Sequence, residues 1–315
     1  MINSQHNKLA ASNISPAQHE IVDKLAYFGV FKHPLKQDEL QNLLVNYYKQ
    51  ERIAISLRSL VENGVCYEYK GYYSVHEDLI DHVNRRLQNE DNATYFFSKL
   101  PFFARIMSTF PYVRGVAVSG SLSKGLMHPD GDIDYFIITA QNRLWFTRML
   151  LVMFKKIFLL NSHRFFCVNY FVSENHLEIP DKNMFTATEI STLLPVYGKS
   201  ILSEFKKANS WLHRYYGHFE HPIEINHVNT KYNRLKRVIE WAFNNPLGNF
   251  LDIMFMYITI WRWDVKFKHF NRSKFSLTMR SNRNVSKHHP RDFQTVVLTK
   301  MDEIKSSTLN KIKVK

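Results

Sequence analysis

Two aspartates separated by one residue, Asp132 and Asp134, are the side chains of this sequence whose spacing best suits chemistry on phosphate. The segment around them is GVAVSGSLSKGLMHPDGDIDYFII: an apolar stretch, Gly120-Ser121, ten residues, and a second apolar stretch that begins Asp132-Ile133-Asp134. On a β-strand, residues i and i+2 face the same side and lie about 6–7 Å apart. The two carboxylates should therefore project together, and a divalent cation such as Mg²⁺, which prefers oxygen ligands, would relieve their repulsion.

The loop between the two apolar stretches contains residue types that suit phosphate binding. The Gly120-Ser121 turn leaves room for backbone amides to approach a triphosphate, and the Ser121 hydroxyl can donate to a phosphate oxygen. Lys124 lies in the same loop, where its ammonium group can balance phosphate charge. Together with the carboxylate pair, these residues predict a site for a metal-bound nucleoside triphosphate.

The pattern of an apolar strand, Gly-Ser, a spacer and Asp-x-Asp on a second strand resembles the superfamily of polymerase-beta-like nucleotidyltransferases. Gly120, Ser121, Asp132 and Asp134 match that signature residue for residue, and the order of elements extends the resemblance over 110–185. The resemblance implies metal-dependent transfer of a nucleoside monophosphate from a nucleoside triphosphate, with release of pyrophosphate. It also implies Mg²⁺ or Mn²⁺ held by the two aspartates, ATP as the expected nucleotide, and a hydroxyl acceptor on a small molecule, a protein or an RNA.

Members of this superfamily normally have a third carboxylate on a later strand, which helps to activate the attacking hydroxyl. The corresponding stretch here, FFCVNYFV over 165–172, contains Asn169 instead. An amide can contact a nucleotide or a metal, but it cannot act as a base at neutral pH. Glu178, on a strand predicted after the next turn, is the nearest alternative acid. Three alternatives stay open: Glu178 supplies the third group, substrate geometry makes a third group dispensable, or nucleotide is bound without turnover. If Glu178 proves unnecessary, either two carboxylates suffice or another acid, such as Glu189, reaches the site.

The N-terminal region has a different sequence pattern: helical periodicity followed by an aromatic segment that is typical of a hairpin. Helices are predicted from Pro16, over 37–48 and over 53–62, and the turn at Lys70-Gly71 predicts a two-stranded hairpin. This order resembles the winged-helix family. Because the predicted recognition helix over 53–62 carries only Arg58 as a base-reading cation, we interpret the unit as a packing or partner module.

The rest of the chain divides into a helical linker, a sheet-containing core and a helical C-terminal region. The core is predicted to contain strands over 113–119, 132–139, 165–172 and 177–179, with a helix over 143–160. From Thr188 onward the sequence predicts mostly helices, over 189–194, 199–216 and 229–243 and from Pro246, where Asn245 suits the cap. The aromatic character of the helix from Pro246 is ascribed to burial. Pro101 is expected to kink or interrupt the linker.

The predicted fold class is thus α+β, with a small mixed β-sheet core and these units: flexible N-terminus 1–15, winged-helix-like domain 16–80, helical linker 81–110, nucleotidyltransferase core 111–187, and helical basic C-terminal domain 188–315.

The charge of the chain favours polyanionic partners. Its 315 residues have a formal net charge of +14, which suits nucleotides, nucleic acid or an anionic membrane surface. The segment 262–291 concentrates this charge and interleaves it with aromatics, so it is either a nucleic-acid contact or a solvated basic face. A catalytically inactive nucleotide-binding regulator, with the winged helix binding nucleic acid or a partner, is the alternative function.

The location of the protein is predicted from its cysteines and its apolar runs. The sequence has two cysteines, Cys66 and Cys167, in separate apolar stretches, so it predicts neither a disulfide framework nor a zinc site. A reducing cytoplasm is therefore expected. We also expect no signal peptide, because the N-terminus lacks an apolar core, and no spanning helix, because no apolar run is long enough.

Overall fold

The computed structural model describes residues 14–228 and 233–313, which form a mixed α and β structure with a six-stranded sheet. This composition is consistent with the predicted α+β class. Of the segment 1–15, predicted to be flexible, residues 1–13 lie outside the described residues. Residues 229–232, the start of the helix predicted over 229–243, lie outside them as well.

The N-terminal part of the chain forms three helices and a small three-stranded sheet. Its first helix, α1 (Pro16–Gly29), begins with a capping box in which Ser15 and Gln18 bond to each other's backbone amides. The following elements are β1 (Leu35–Lys36), α2 (Gln37–Leu43), α3 (Gln50–Glu62), β2 (Tyr67–Tyr69) and β3 (Tyr72–Ser74), and the strand order is β1-β3-β2.

Two local features of this unit show what sets the ends of its elements. Lys70 and Gly71 both have positive φ, as a tight hairpin turn requires, which confirms the predicted hairpin. Helix α2 ends at Leu43, short of the predicted end at 48. The Glu20 carboxylate accepts backbone amide hydrogen bonds just after this end, at 2.8 and 3.2 Å, and so draws the chain away from a helical path.

A single long helix, α4 (Leu79–Thr109), joins the N-terminal unit to the central sheet. It continues through Pro101, so an interruption there is wrong, and a kink stays a prediction. Pro101 lies on an exposed side of the helix, where solvent can satisfy the carbonyl that loses its donor.

The central sheet has the strand order β7-β4-β5-β6-β9-β8. The β5–β6 pair is parallel, and the other pairs are antiparallel, so the sheet is mixed. All of β5 after its first residue is buried, which makes it the rigid centre of the sheet. The strands are β4 (Val113–Ser119), β5 (Asp134–Thr139), β6 (Cys167–Ser173), β7 (Leu194–Tyr197), β8 (Ser281–Asn282) and β9 (Val285–Lys287).

The sheet departs from the sequence prediction at three places. The second predicted strand begins at Asp134 and not at Asp132. Residues 177–179 form no strand, because the Asn209 side chain bonds to the Leu177 carbonyl and the Ile179 amide, at 2.9 and 2.8 Å, and takes the place of a neighbouring strand. The chain after Thr188 is mostly helical, as predicted, but it also adds short strands to the sheet: β7 pairs with β4, and β9 pairs with β6, beyond the predicted core 111–187.

The remaining helices cover the sheet and contact the N-terminal unit. The predicted cap is confirmed, since the Asn245 side chain accepts from the Gly248 amide at the start of α9. The last helix packs on α1, where Lys305 and Asp23 form an ion pair at 2.6 Å. These helices are α5 (Leu144–Phe158), α6 (Met184–Ser191), α7 (Lys199–Ala208), α8 (Arg234–Phe243), α9 (Pro246–Lys266), α10 (Arg272–Thr278) and α11 (Phe293–Lys313).

The apolar side chains of α9 are not all buried, which corrects the interpretation of that helix. Tyr257 and Trp261 are 65% and 66% exposed, because only one side of α9 faces the sheet and α5. Within residues 14–228 and 233–313, no helix combines the length and the apolar character needed to cross a bilayer.

Candidate functional site

The end of β4 and the start of β5 bring Gly120 against Asp134. The two strands are antiparallel with Ser119 opposite Asp134, so the turn that follows β4 passes directly over the first residue of β5. Gly120 has a φ of 68°, and a Cβ atom at this position would lie 2.7 Å from Asp134 Oδ2. Only glycine therefore lets the backbone come this close to the carboxylate without displacing it.

The backbone that carries Asp132 and Asp134 is fixed by hydrogen bonds of the residue between them. Ile133 is fully buried, its amide donates to the Arg164 carbonyl at 2.9 Å, and its carbonyl accepts from the Cys167 amide at 3.1 Å. Asp132 thus precedes the strand instead of lying on it, but Ile133 still fixes the segment to β6. The charge of Asp132 raises the pKa of Asp134, as expected for neighbouring carboxylates.

The Asp134 carboxyl has a strongly raised pKa. Burial and then the neighbouring Asp132 charge raise the pKa of Asp134 from 3.8 to about 7, with a smaller contribution from Glu189. Hydrogen bonds from Cys167 and Asn169 act in the opposite direction, and Asn169 Nδ2 donates to Asp134 Oδ1 at 2.8 Å. A cation bound beside Asp134 would stabilise its ionised form, which burial disfavours.

The raised pKa of Asp134 predicts a pH-dependent metal affinity. Because a proton must leave the carboxyl before it can bind a cation, we expect Mn²⁺ affinity to rise about tenfold per pH unit below pH 7 and to level off above it. Calorimetric titration of Mn²⁺ between pH 5.5 and 8.5 measures this dependence. An affinity that does not change between pH 6 and 8 would contradict the assignment of Asp134 as a ligand.

Asn169 reaches Asp134 because β6 contains a bulge. In the β5–β6 pairing, Tyr135 lies opposite Val168 and Phe136 lies opposite Tyr170, so Asn169 is the extra residue. An extra residue of this kind redirects the side chain, as is frequent beside functional sites. The structure therefore brings Asn169 to the carboxylate pair, at the place where the resemblance leads one to expect a third acid.

The loop after Gly120 is a short 3₁₀ turn that internal bonds hold in place. Ser123 is buried, and its hydroxyl donates to the Gly120 carbonyl at 2.9 Å. Lys124 Nζ donates to the same carbonyl at 3.0 Å and to Glu189 Oε1 at 2.9 Å. Ser121 is exposed beside this network, so its hydroxyl is accessible to a ligand.

The two acids considered for the third position differ in their surroundings. Glu189 on α6 is 30% exposed, pairs with Lys124 and raises the pKa of Asp134, so it belongs to the electrostatic environment of the site. Glu178 is 58% exposed, and its Oε1 lies 2.7 Å from Lys182 Nζ, which lowers the pKa of Glu178. The side-chain interactions described for Glu178 thus tie it to Lys182 and not to Asp132 or Asp134.

A thiol and an imidazole lie beside the carboxylates and were not predicted as site residues. Ligand atoms of Asp132, His163 and Cys167 all lie within 4.8 Å of one another, and Lys155 Nζ is 3.2 Å from His163 Nδ1. Thiolate and imidazole ligands favour Zn²⁺-like ions, whereas Mg²⁺ favours oxygen. Mg²⁺ fits Asp132 and Asp134, because Asp134 has the buried, like-charged surroundings that a hard cation relieves.

The basic segment 262–291 has two parts with different surroundings. Arg280 makes two 2.9 Å hydrogen bonds to Asp181, and the buried Lys287 lies 3.7 Å from the same carboxylate, so these cations support the fold. The ring of His288 lies 4.9 Å from that of Trp263, and burial lowers its pKa to about 4, as expected for a structural histidine. Exposed cations occupy the earlier part of the segment: Arg262, Lys266, Lys268, Arg272 and Lys274.

Comparison with known proteins identifies one region of the chain. Residues 102–185 match the family model described as "Nucleotidyltransferase domain". This range includes the Gly120 loop, the Asp132–Asp134 pair and Asn169, so the match supports the nucleotidyltransferase superfamily and a general nucleotidyl-transfer activity for this region. No curated protein and no solved structure matches the chain.

Proposed function

We propose that the protein is a metal-dependent nucleotidyltransferase that moves a nucleoside monophosphate from a nucleoside triphosphate to a hydroxyl acceptor. The observation that carries this proposal is the geometry at Gly120, where the loop backbone lies against the Asp134 carboxylate within a matched nucleotidyltransferase domain. Mg²⁺ or Mn²⁺ with ATP is the expected combination. Two free, buried cysteines agree with a reducing cytoplasm as the proposed location.

Each part of the site has a task in this reaction. Asp132 and Asp134 would hold the divalent cation, which neutralises triphosphate charge and polarises the α-phosphate. The exposed Ser121 hydroxyl and the loop amides would bind the phosphate oxygens. The acceptor hydroxyl gives its proton to a carboxylate base, for which Glu189 is proposed. Its oxygen bonds to the α-phosphorus, the bond from that phosphorus to the bridging oxygen breaks, and pyrophosphate leaves with those electrons. Asn169 keeps the Asp134 carboxylate oriented through its 2.8 Å hydrogen bond.

We propose Glu189, and not Glu178, as the third acid of the site. Glu189→Gln should lower kcat by about 10²-fold or more, as expected for loss of a positioned base, while nucleotide affinity changes little. Glu178→Gln is the matched control and should retain parental activity, because Glu178 pairs with Lys182 on an exposed surface. Steady-state pyrophosphate release from the two variants decides the assignment. The opposite order of effects would restore Glu178 as the third acid.

The N-terminal part of the chain fits a role outside the chemical step. Three helices, a short strand and a hairpin that form the sheet β1-β3-β2 support a winged-helix-like domain. Its third helix, α3, exposes cations and acids in balance, so we propose that this domain binds a protein partner or the acceptor instead of DNA. The exposed charged residues of α3 are Glu51, Arg52, Arg58 and Glu62.

One observation favours a second candidate, a nucleotide-binding regulator without turnover. Asn169, which cannot act as a base, contacts Asp134 where the superfamily normally has an acid. A screen of the four labelled nucleoside triphosphates with Mg²⁺ or Mn²⁺, against protein, RNA and small-molecule pools, separates the two. Label transfer supports the enzyme. Nucleotide binding with no pyrophosphate release from any pool supports the regulator.

A further inference from the structure

Helix α8 turns its polar side toward the protein and its apolar side toward solvent. Lys236 Nζ donates to the carbonyls of Ser108 and Val113, at 3.0 and 2.9 Å, and Glu240 accepts from Arg114 Nη1 at 2.9 Å. The polar side thus anchors the helix. The apolar residues on the other side are Leu235, Val238 and Trp241, with exposures of 68%, 59% and 83%.

Helix α9 is apolar on both sides: Phe255, Met256 and Ile260 pack against the core, while other large apolar side chains are exposed. Gly248, Asp252, Thr259 and Trp263 are buried, and Asp252 accepts from the Phe146 amide at 2.9 Å. A spacing of three or four residues places the large exposed residues on the opposite side of the helix. They are Leu247, Phe250, Tyr257, Ile258, Trp261 and Val265. We call these residues, together with Leu235, Val238 and Trp241 of the adjoining helix, the outer face of α8 and α9.

Hydrogen bonds and a close backbone contact fix α8 and α9 relative to each other. Asn245 caps α9 through the Gly248 amide, and its Nδ2 donates back to the Ala242 carbonyl at 2.8 Å. Arg143 Nη2 donates to the Phe243 carbonyl at 2.7 Å. A Cβ at Gly248 would lie 1.9 Å from that carbonyl oxygen, which shows how closely the helices meet.

Cationic side chains near the outer face indicate what kind of partner it binds. The cations Arg262, Lys266, Lys268, Arg272 and Lys274 are exposed at the end of α9 and just after it, where Asp264 is the acid among them. Helices that lie in the interface of an anionic membrane typically have tryptophan, tyrosine and leucine on one side, with lysine and arginine beside them. A second copy fits less well, because each chain brings the same cations and a formal net charge of +14.

We propose that the outer face of α8 and α9 binds the surface of an anionic lipid bilayer without spanning it. The aromatic and aliphatic side chains enter the boundary between headgroups and acyl chains, and the basic residues after α9 contact the lipid phosphates. This binding goes beyond nucleotidyl transfer and does not depend on it.

Vesicle co-sedimentation of the full-length protein tests the proposal. We expect binding to phosphatidylcholine vesicles that contain about 30% phosphatidylglycerol, with little binding to phosphatidylcholine alone. Phe250→Glu should weaken this binding at least about tenfold. Phe102→Glu is the matched control, since Phe102 is a phenylalanine of similar exposure on α4, 64% against 62% for Phe250, and should bind like the parent.

Three results would overturn the proposal: no binding to anionic vesicles, equal binding to neutral ones, or equal losses in the Phe250 and Phe102 variants. Light scattering identifies the competing occupant. A stable dimer that Phe250→Glu dissociates, together with absent vesicle binding, would assign the face to a second copy of the chain. Circular dichroism of each variant shows whether α8 and α9 remain folded, and Trp241→Glu provides a second variant on the same face.

Discussion

Asp134→Asn should reduce pyrophosphate release by about 10³-fold or more, because it removes one charge from the metal site, where charge stabilisation contributes several kcal/mol. Asparagine keeps the shape of the side chain, and the Asn169 amide can reorient to bond with it. Full activity in this variant would remove Asp134 from the metal site.

The same substitution should not unfold the protein, and this separates chemistry from stability. The folded state raises the pKa of Asp134 from 3.8 to about 7, so it binds the proton more tightly than the unfolded state does. Stability of the metal-free protein therefore falls as pH rises from about 4 to 7, and the asparagine variant lacks this loss. Thermal unfolding at pH 8 without metal should give the variant an equal or higher Tm.

Gly120→Ala should lower activity by about 10²-fold or more, since a misplacement near 1 Å can cost that much. The new Cβ would lie 2.7 Å from Asp134 Oδ2, so the carboxylate must move from its position. Because that oxygen ends a side chain that can rotate, the expected damage is to the site more than to the fold. Pyrophosphate release and nucleotide affinity measure it.

Gly64→Ala is the control for backbone strain. Gly64 has the same φ of 68°, but a Cβ there has no heavy atom within 4 Å. Both alanine variants therefore carry the cost of a left-handed conformation, about 1–2 kcal/mol. Equal activity in the two variants would contradict the close approach of Gly120 to Asp134.

The elements that the sequence predicted best are those whose signals are local. The strand over 113–119 has the predicted bounds, since a mostly apolar stretch there ends at a glycine turn. The start of α9 also follows from adjacent residues, with asparagine at the cap and proline at the first position. By contrast, β7 and β9 have four and three residues, and each is a strand because a distant strand pairs with it.

The candidate site shows the same difference between residues predicted from local signals and residues placed by distant contacts. Asp132, Asp134, Gly120 and Ser121 are predictable because their spacing lies within one strand–loop–strand segment. Glu189 was considered only as one further acid, since its partner Lys124 is 65 residues away and the contact exists only in the folded chain. The outer side of α9 was misjudged for a related reason: a helix that is apolar on nearly all sides does not reveal which side is covered.

The most direct test of the account follows two labels of one nucleoside triphosphate in a single reaction with Mg²⁺ or Mn²⁺. We predict that label from the α-phosphate joins the acceptor and that label from the γ-phosphate appears as pyrophosphate, in equal amounts, with both signals absent in Asp134→Asn. Release of the γ-label as inorganic phosphate would instead indicate hydrolysis of the terminal phosphate. That result, or an Asp134→Asn protein that transfers label like the parent, would contradict nucleotidyl transfer at this carboxylate pair.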